Sequence, residues 1–239
     1  MKIFNPKVSE MPEVLSHIEE VSGYAFKDQA LLLLALTHSS YAAEQTSPCP
    51  FNQRLEFLGD AVLQLILSDF LYAGLPEAQE GILTRTRSLL AKEKATAEYA
   101  LQLGLERALL MGNGENLTGG RERSSILGDS FEAFLGAVYL DGGFEAARAV
   151  CLRLLPSPED SVELLGIEEN PKGMLLEHCQ STQQGKPEYV CLSTQGPVHQ
   201  PVYEVKIMLN GKEIARGSGK SRKTAECDAA KKAMQNLDW

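Results

Sequence analysis

The spacing of apolar residues changes once along the chain, and this change constrains the fold more than any other feature. Up to residue 155, apolar residues recur every three or four positions and few stretches alternate, which predicts helices rather than strands. The predicted helices are Val14–Val21, Lys27–His38, Arg54–Tyr72, Leu83–Leu103, Ile126–Tyr139 and Phe144–Leu155. Asp28 is placed to cap the second of them. The first part of the chain is therefore predicted to be all-α.

Beyond residue 170 the pattern is typical of a small α+β unit. Proline at the start of Pro171–Gln183 favours a helix there. Asn210-Gly211 predicts a tight hairpin turn between two strands, and Ser221 is placed to cap a last helix. The predicted elements after the first helix are the strands Tyr189–Thr194, Val202–Leu209 and Lys212–Gly217 and the helix Arg222–Leu237. The predicted order is αβββα.

A proline-rich segment separates the two patterns. Pro156-Ser157-Pro158-Glu159-Asp160 interrupts the helical spacing, and this composition favours an extended, solvated connection. We therefore predict two domains, 1–155 and 170–239, joined by a linker over 156–169.

Charge is distributed unevenly between these parts. The whole chain carries a net charge of −9, which by itself argues against binding to nucleic acid. Residues 1–169 hold 13 Lys and Arg against 25 Asp and Glu, a net of −12, whereas residues 170–239 hold 10 against 7, a net of +3. The mildly basic C-terminal part is thus the candidate for an anionic partner.

Membrane and secretory features are not predicted. The longest uninterrupted apolar run, Ala30–Leu36, is well short of the ~20 residues of a membrane span, and no secretion signal opens the chain. The five cysteines are an odd number without a CxxC pair, which favours neither a disulfide framework nor a zinc site. These features predict a soluble cytoplasmic protein.

Two pairs of carboxylates lie in strongly apolar predicted helices. Glu56 and Asp60 are four residues apart, Asp129 and Glu132 are three apart, and each pair therefore shares a helix face. Two such helices facing each other would bring four carboxylates together, and Mg²⁺ is the usual means of offsetting their repulsion. The alternative is that the acids are solvated or interact with helix N-termini, where Asp129 could serve as an N-cap. Spacing alone leaves both interpretations open.

Three segments resemble the ribonuclease III family. Asn52–Asp60 is similar to the family signature NERLEFLGD, and Ile126–Gly142 is similar to its second acidic motif. Thr37–Tyr41 matches a further hallmark of the family. The C-terminal unit resembles a double-stranded-RNA-binding domain, so that the resemblance extends over roughly 14–238.

The resemblance implies a Mg²⁺-dependent endonuclease, with Mn²⁺ as a substitute, that cleaves double-stranded RNA as a homodimer and leaves 5′-phosphate and 3′-hydroxyl ends. Its expected substrates are ribosomal and other structured precursor RNAs. By motif position Glu56, Asp60, Asp129 and Glu132 would coordinate metal, with Asp60 and Glu132 most sensitive to mutation. Phe57 would insert into the partner subunit, although the sequence alone favours ordinary core packing for it.

The likeness to double-stranded-RNA-binding domains implies three groups of RNA contacts. Lys220, Arg222 and Lys223 would bind phosphates at a helix start, where backbone N–H groups favour anions. The residues implied in the minor grooves are Glu177 and Gln180 on the first helix of the unit and His199 in a loop. The alternative is that these are solvated surface groups. A nucleotide-binding P-loop around Lys220 is excluded, because Ile214 replaces its first glycine.

Two departures from the family pattern bear on function. Gln53 replaces the usual Glu of the signature, which removes a charge beside the acids, and Leu176 replaces a Gln frequent in bacterial members. The rival hypothesis is a non-catalytic double-stranded-RNA-binding regulator with the same fold. A DNA nuclease is disfavoured, because the C-terminal domain type prefers A-form geometry. His38 is interpreted as structural.

Overall fold

The structure, a computed structural model, describes residues 11–195 and 201–236. Contacts between residues divide the chain into two compact units, with the division between Glu159 and Asp160. The two units are therefore described separately. The predicted domain limits of 1–155 and 170–239 lie near this division and stay a prediction.

The regular elements of the first unit are helices over its described residues, as the sequence predicted, with one isolated parallel β-bridge between Thr37 and Leu110. Its elements are α1 (Met11–Ser22), α2 (Gln29–Ala35), α3 (Ser39–Ala43), α4 (Gln53–Gly74), α5 (Glu80–Leu90), α6 (Glu93–Gln102), α7 (Leu105–Ala108), α8 (Asn113–Leu117), α9 (Ser124–Gly142) and α10 (Phe144–Leu154). A short 3-10 helix, Gly120–Glu122, lies between α8 and α9. The predicted cap is confirmed, because the Asp28 carboxylate accepts a hydrogen bond of 2.9 Å from the Ala30 N–H.

Helices α4 and α9 form the centre of the core. Ile66 and Leu67 on α4, and Phe131 and Phe134 on α9, are at most 1% exposed. Burial of each such side chain contributes about 1.5–3 kcal/mol. Helices α2, α6 and α10 pack around α9, so that α9 is covered on most sides and holds a fixed position against α4.

The single helix predicted over Leu83–Leu103 is wrong, because the chain breaks into α5 and α6. Ala91 ends α5, and Lys92 has an extended conformation (φ −66°, ψ 148°) before α6 begins. The apolar spacing continues through the break without a Gly or Pro to mark it. The turn redirects α6 so that Ala97 and Ala100 pack into the core, which one straight helix would not permit.

The predicted extended linker is also wrong, because Pro158–Glu169 forms helix α11. Proline at a first helical position is compatible with this conformation. The helix is not simply solvated, since Ser161 and Leu165 are buried. Glu168 Oε2 accepts a hydrogen bond of 2.8 Å from Lys231 Nζ.

The second unit confirms the predicted αβββα order. Its elements are α12 (Pro171–Ser181), β1 (Glu188–Gln195), β2 (Val202–Leu209), β3 (Lys212–Gly219) and α13 (Arg222–Asn236). The strands form an antiparallel sheet in the order β1-β2-β3. Asn210 and Gly211 both have positive φ, 49° and 77°, as the predicted hairpin turn requires. Leu175, Ile207 and Met234 belong to the separate core between sheet and helices.

Helix α4 is long and apolar enough, by length and composition, to cross a bilayer. The sequence prediction concerned uninterrupted apolar runs and is not contradicted, because Glu56, Asp60 and Asp69 interrupt the apolar residues of α4. The core helix of a soluble protein passes the same test, and α4 carries Glu56 and Asp60 and packs against α9. Its composition gives no argument for a membrane location.

Candidate active site

Backbone contact between α4 and α9 assembles the acidic site. A Cβ atom at position 59 would lie 1.7 Å from the carbonyl oxygen of Glu132, and one at position 136 would lie 2.3 Å from the carbonyl oxygen of Leu55. Gly59 and Gly136 therefore allow an approach that no other residue type permits. This crossing places the helical turn that carries Glu132 directly against the turn that carries Glu56.

The start of α4 is fixed by hydrogen bonds to an earlier segment. Asn52 is buried, and its N–H donates to the carbonyl oxygen of Thr37 at 2.9 Å. Its own carbonyl oxygen accepts from the N–H groups of Leu55 and Glu56 at 2.8 and 3.0 Å. Thr37, in the segment that matches a hallmark of the family, thus holds the first turn of the helix on which Glu56 and Asp60 lie.

The structure brings all four predicted carboxylates close enough to influence one another. Burial, and then the charges of Asp60, Asp129 and Glu56, raise the pKa of Glu132 to about 7. Burial, followed by Asp129 and Asp60, likewise raises the pKa of Glu56. Glu56 and Glu132 are half-buried, whereas Asp60 and Asp129 are exposed. The site is therefore a concentration of mutually repelling negative charge with its glutamates partly shielded from water.

Asp129 belongs to this site rather than to a helix cap. Helix α9 begins at Ser124, so the alternative of Asp129 as an N-cap is wrong. Although its side chain is exposed, desolvation by the surrounding protein raises the pKa of Asp129, as does the charge of Glu93, while His38 acts in the opposite direction. The sequence analysis did not identify Glu93, because it lies alone in the first turn of α6.

The donor set fits a hard divalent cation. None of the four carboxylates forms an ion pair with a Lys or Arg among the residues that the structure describes. Over residues 11–195 and 201–236, no group of three or more Asp, Glu, His or Cys side chains is arranged so that it could hold a metal ion. Mg²⁺ commonly takes only one or two protein carboxylates and completes its shell with water and substrate phosphate oxygens. An open, uncompensated acidic cluster is consistent with that preference.

His38 has the structural role that the sequence analysis assigned to it. Its Nδ1 accepts a hydrogen bond of 3.2 Å from the Ser40 N–H and thereby caps α3. Burial, with Arg123 as a smaller contribution, lowers the pKa of His38 against the opposing charges of Glu115 and Asp129. The imidazole is thus oriented by the helix it caps while it lies within the field of the acidic site.

Phe57 lies outside the core, so the packing expected for it from sequence alone is wrong. Its side chain is 82% exposed. The core stripe of α4 passes through Leu55, Gly59 and Val62, and Phe57 is about half a helical turn away from that stripe. Leu65 and Tyr72, at 58% and 76% exposure, extend the exposed apolar surface along α4. Helical spacing could have indicated this outward position.

The predicted RNA-binding residues of the second unit that the structure describes lie at the start of α13 and on α12. Lys220, Arg222 and Lys223 are exposed where α13 begins, and Glu177 and Gln180 are exposed on α12. The predicted cap is confirmed, since the Ser221 hydroxyl accepts from the Thr224 N–H at 3.2 Å. His199 lies outside the described residues.

Comparison with known proteins gives matches over both units. Residues 28–158 match the family model Ribonuclease-III-like, and residues 171–237 match the double-stranded RNA binding motif. Ribonuclease 3 of Nitratidesulfovibrio vulgaris is 41% identical over 225 residues, 94% of this chain and 88% of the relative. Ribonuclease 3 of Pseudothermotoga lettingae is 40% identical over 232 residues, 95% of this chain and 98% of the relative. The chain belongs to the ribonuclease III family.

A solved structure supports the same assignment for the first unit. The nuclease domain of ribonuclease III from Campylobacter jejuni, described with flexibility in a region involved in dimer formation, has 42% sequence identity and a TM-score of 0.55. The match covers 59% of this chain and 94% of that domain.

Membership of the ribonuclease III family decides between the hypotheses drawn from the sequence. The chain is an endoribonuclease specific for double-stranded RNA, with a helical nuclease domain followed by an αβββα double-stranded-RNA-binding domain. The predicted fold class and enzyme class are confirmed. The rival hypothesis of a non-catalytic RNA-binding regulator is not favoured.

Proposed function

We propose that Glu56, Asp60, Asp129 and Glu132 form the catalytic centre and hold Mg²⁺, with Mn²⁺ as a substitute. The observation that carries this proposal is the backbone contact at Gly59 and Gly136, which sets one acid pair against the other. The raised pKa values of the two glutamates support it, because among the described residues no Lys or Arg pairs with either glutamate to relieve their repulsion.

Each carboxylate has a distinct place in this proposal. Glu132 and Glu56 are half-buried at the crossing and provide oxygen donors on rigid helices, while the exposed Asp60 and Asp129 face the solvent from which RNA approaches. Asp60 and Glu132 are proposed as the most sensitive positions. Divalent metal, when bound there, supplies a Lewis acid that activates water and stabilises the leaving oxygen of the phosphodiester.

RNA binding is proposed to fall mainly to the second unit. Residues 1–169, at −12, repel phosphate except where metal bridges the charges, whereas residues 170–239, which lie within the second unit, carry +3. Lys220, Arg222 and Lys223 are proposed to contact phosphates, and Glu177 and Gln180 to reach a minor groove. His199 is proposed for a second groove from its sequence motif alone.

A homodimer is proposed, with Phe57 as a contact between subunits. An aromatic side chain that is 82% exposed gains free energy when a partner covers it. The region involved in dimer formation in the Campylobacter jejuni structure supports an assembly of two chains. Cytoplasmic processing of ribosomal and other structured precursor RNAs, with 5′-phosphate and 3′-hydroxyl products, completes the proposal.

A cleavage assay on a long RNA duplex tests the proposed chemistry. Cleavage is expected with Mg²⁺ or Mn²⁺ and is expected to stop with EDTA, while duplex binding persists. End-mapping is expected to find 5′-phosphates and 3′-hydroxyls. Cleavage that continues in EDTA would contradict the metal assignment, and the opposite end chemistry would contradict the proposed mechanism.

Removal of the second unit tests the proposed division of labour. Residues 1–155 alone are expected to cut at low salt with ample Mg²⁺ but poorly at physiological salt, because fewer phosphate contacts remain. Changing Lys220, Arg222 and Lys223 together to Ala in the full chain is expected to raise KM much more than it lowers kcat. Equal activity of the truncated and full-length chains at every salt concentration would refute this division.

A further inference from the structure

A shielded carboxylate lies between the two helices proposed to read RNA. The Glu226 side chain, on the second turn of α13, is only 12% exposed. Its Oε1 accepts a hydrogen bond of 2.9 Å from Arg222 Nε, and its Oε2 accepts one of 2.5 Å from Lys172 Nζ. Arg222 is the first residue of α13, whereas Lys172 is the second residue of α12. One carboxylate therefore joins the starts of both helices.

The two side chains that donate to this carboxylate differ in how much of their charged group stays available to RNA. Lys172 Nζ also lies 4.6 Å from the centre of the Tyr189 ring, so its ammonium has two contacts within the domain, although its side chain is 41% exposed. The Arg222 side chain is 64% exposed, and the described residues bind only its Nε. The terminal nitrogens of its guanidinium are thus free to meet a phosphate.

Anchoring one nitrogen of an arginine fixes the plane of its guanidinium. The planar fork binds a phosphate with two parallel hydrogen bonds only when it faces that phosphate, a requirement that a lysine ammonium does not have. A fork held in place before binding also loses less rotamer freedom when RNA arrives. Glu226 supplies such an anchor, and Lys172 offsets the charge that Glu226 would otherwise present to RNA.

We propose that Glu226 is a positioning residue for RNA recognition, which orients Arg222 toward a phosphate and, through Lys172, ties the start of α12 to the start of α13. This inference rests on the proposed phosphate contact of Arg222. It goes beyond that contact by giving an acidic residue a favourable role on a surface that binds a polyanion.

Two interpretations of Glu226, as a nearby negative charge and as a positioning residue, predict opposite effects on RNA affinity when its charge is removed. If Glu226 were only a nearby negative charge, Glu226→Gln would tighten RNA binding. If it positions Arg222, the same change should weaken binding about threefold to tenfold and make the salt dependence shallower by about one phosphate contact or less. At saturating RNA, kcat should stay near the wild-type value while KM rises.

The test measures the Kd of the full-length protein for an RNA duplex of about 20 base pairs, longer than the ~16 that such a domain spans, in EDTA so that no cleavage occurs. Arg222→Ala and Lys223→Ala are each compared in the wild type and in Glu226→Gln. The positioning role predicts that Arg222→Ala costs much less in the Glu226→Gln background, whereas Lys223→Ala costs the same in both. Glu213→Gln, on the opposite face of the sheet, is the control for lost negative charge and should leave Kd nearly unchanged.

The outcomes separate this inference from the proposed function. A neutral Arg222→Ala in the wild type would refute the phosphate contact and the positioning role together. A full cost of Arg222→Ala in both backgrounds, or tighter binding by Glu226→Gln, would refute the positioning role alone.

Arg222→Lys gives a second test that leaves Glu226 intact and does not depend on whether Glu226→Gln folds. It keeps the charge but removes the anchored fork, so it is expected to weaken binding nearly as much as Arg222→Ala. Wild-type affinity of Arg222→Lys would overturn the proposal.

Discussion

Replacing Glu132 with Gln should abolish cleavage and, at the same time, stabilise the metal-free protein. Gln keeps the size of the side chain but removes its charge and its capacity to bind metal as a carboxylate. Burial and three nearby carboxylates raise the pKa of Glu132 from 4.5 to about 7. The folded protein without metal therefore disfavours the ionised form, and the variant is relieved of that penalty.

The sign and size of the effect on stability follow from the raised pKa of Glu132. A raised carboxyl pKa costs no stability below pH 4.5, costs more as the pH rises from 4.5 to 7, and costs the full amount above 7. One pKa unit corresponds to about 1.4 kcal/mol, so the full shift corresponds to about 3 kcal/mol. Solvent screening at this half-buried, shared site reduces the expected gain to about 1–2 kcal/mol, or roughly 2–8 °C in Tm.

Thermal denaturation in EDTA at pH 8 and near pH 4 measures the first effect. Glu132→Gln should melt higher than the wild type at pH 8, and the difference should disappear near pH 4. Glu145→Gln, an exposed position on α10, is the matched control and should show no such pH-dependent gain. Mg²⁺ should raise the Tm of the wild type more than that of Glu132→Gln.

Cleavage of an RNA duplex measures the second effect. Turnover should fall by about 10²-fold or more, a loss typical of removing electrostatic stabilisation from a transition state, while duplex binding stays largely intact. Near-normal turnover at saturating Mg²⁺ would refute the assignment of Glu132. A lower Tm of the variant at pH 8 would refute the electrostatic argument.

Three further substitutions test other parts of the structure. Gly59→Ala should destabilise the nuclease domain by about 3 kcal/mol and abolish cleavage, because its Cβ would meet the Glu132 carbonyl oxygen; an unchanged Tm would contradict the crossing. Phe57→Ala should shift sedimentation from dimer toward monomer, and an unchanged dimer would exclude the contact. Gln53→Glu should raise turnover or relax substrate choice if the missing charge limits catalysis, whereas equal rates on several duplexes would show a neutral position.

Sequence patterns correctly predicted the elements whose conformation depends on only a few neighbouring residues. The hairpin at Asn210-Gly211 was predictable because two consecutive residues with positive φ are needed there and these types adopt it readily. Strand β2 occurs over the predicted Val202–Leu209, since its alternating pattern distinguishes the two faces of the sheet. The cap residues Asp28 and Ser221 were predictable for the same reason, because a cap acts within three residues of itself.

Elements that depend on packing elsewhere in the fold were not predictable from such rules. The break at Lys92 follows from the course that α6 takes along α9, not from any local signal. The segment predicted as a solvated linker instead forms helix α11, in which Leu165 is buried. The continuous apolar spacing gave no sign of the first, and the Pro-rich composition gave no sign of the second, because in both cases the packing that decides the conformation was unknown.

The four acids of the candidate site show the same difference between what local spacing predicts and what depends on packing. Spacing along each helix predicted that Glu56 and Asp60 share a face and that Asp129 and Glu132 share another. It could not predict that the two faces meet, because this depends on Gly59 and Gly136 lying against backbone atoms of the opposite helix. The family resemblance supplied this juxtaposition, and the structure gives its physical cause.

The crossing of α4 and α9 links the stability of the nuclease domain to its electrostatic cost. The same contact that buries Ile66 and Phe131 in the core also presses carboxylates together and raises the pKa of Glu132. The apolar burial is therefore what holds the repelling charges in place until a cation offsets them. A substitution that forces the crossing apart, such as Gly59→Ala, would lose this apolar burial and the metal site together. One that removes a charge and leaves the crossing intact, such as Glu132→Gln, should stabilise the metal-free domain and impair catalysis.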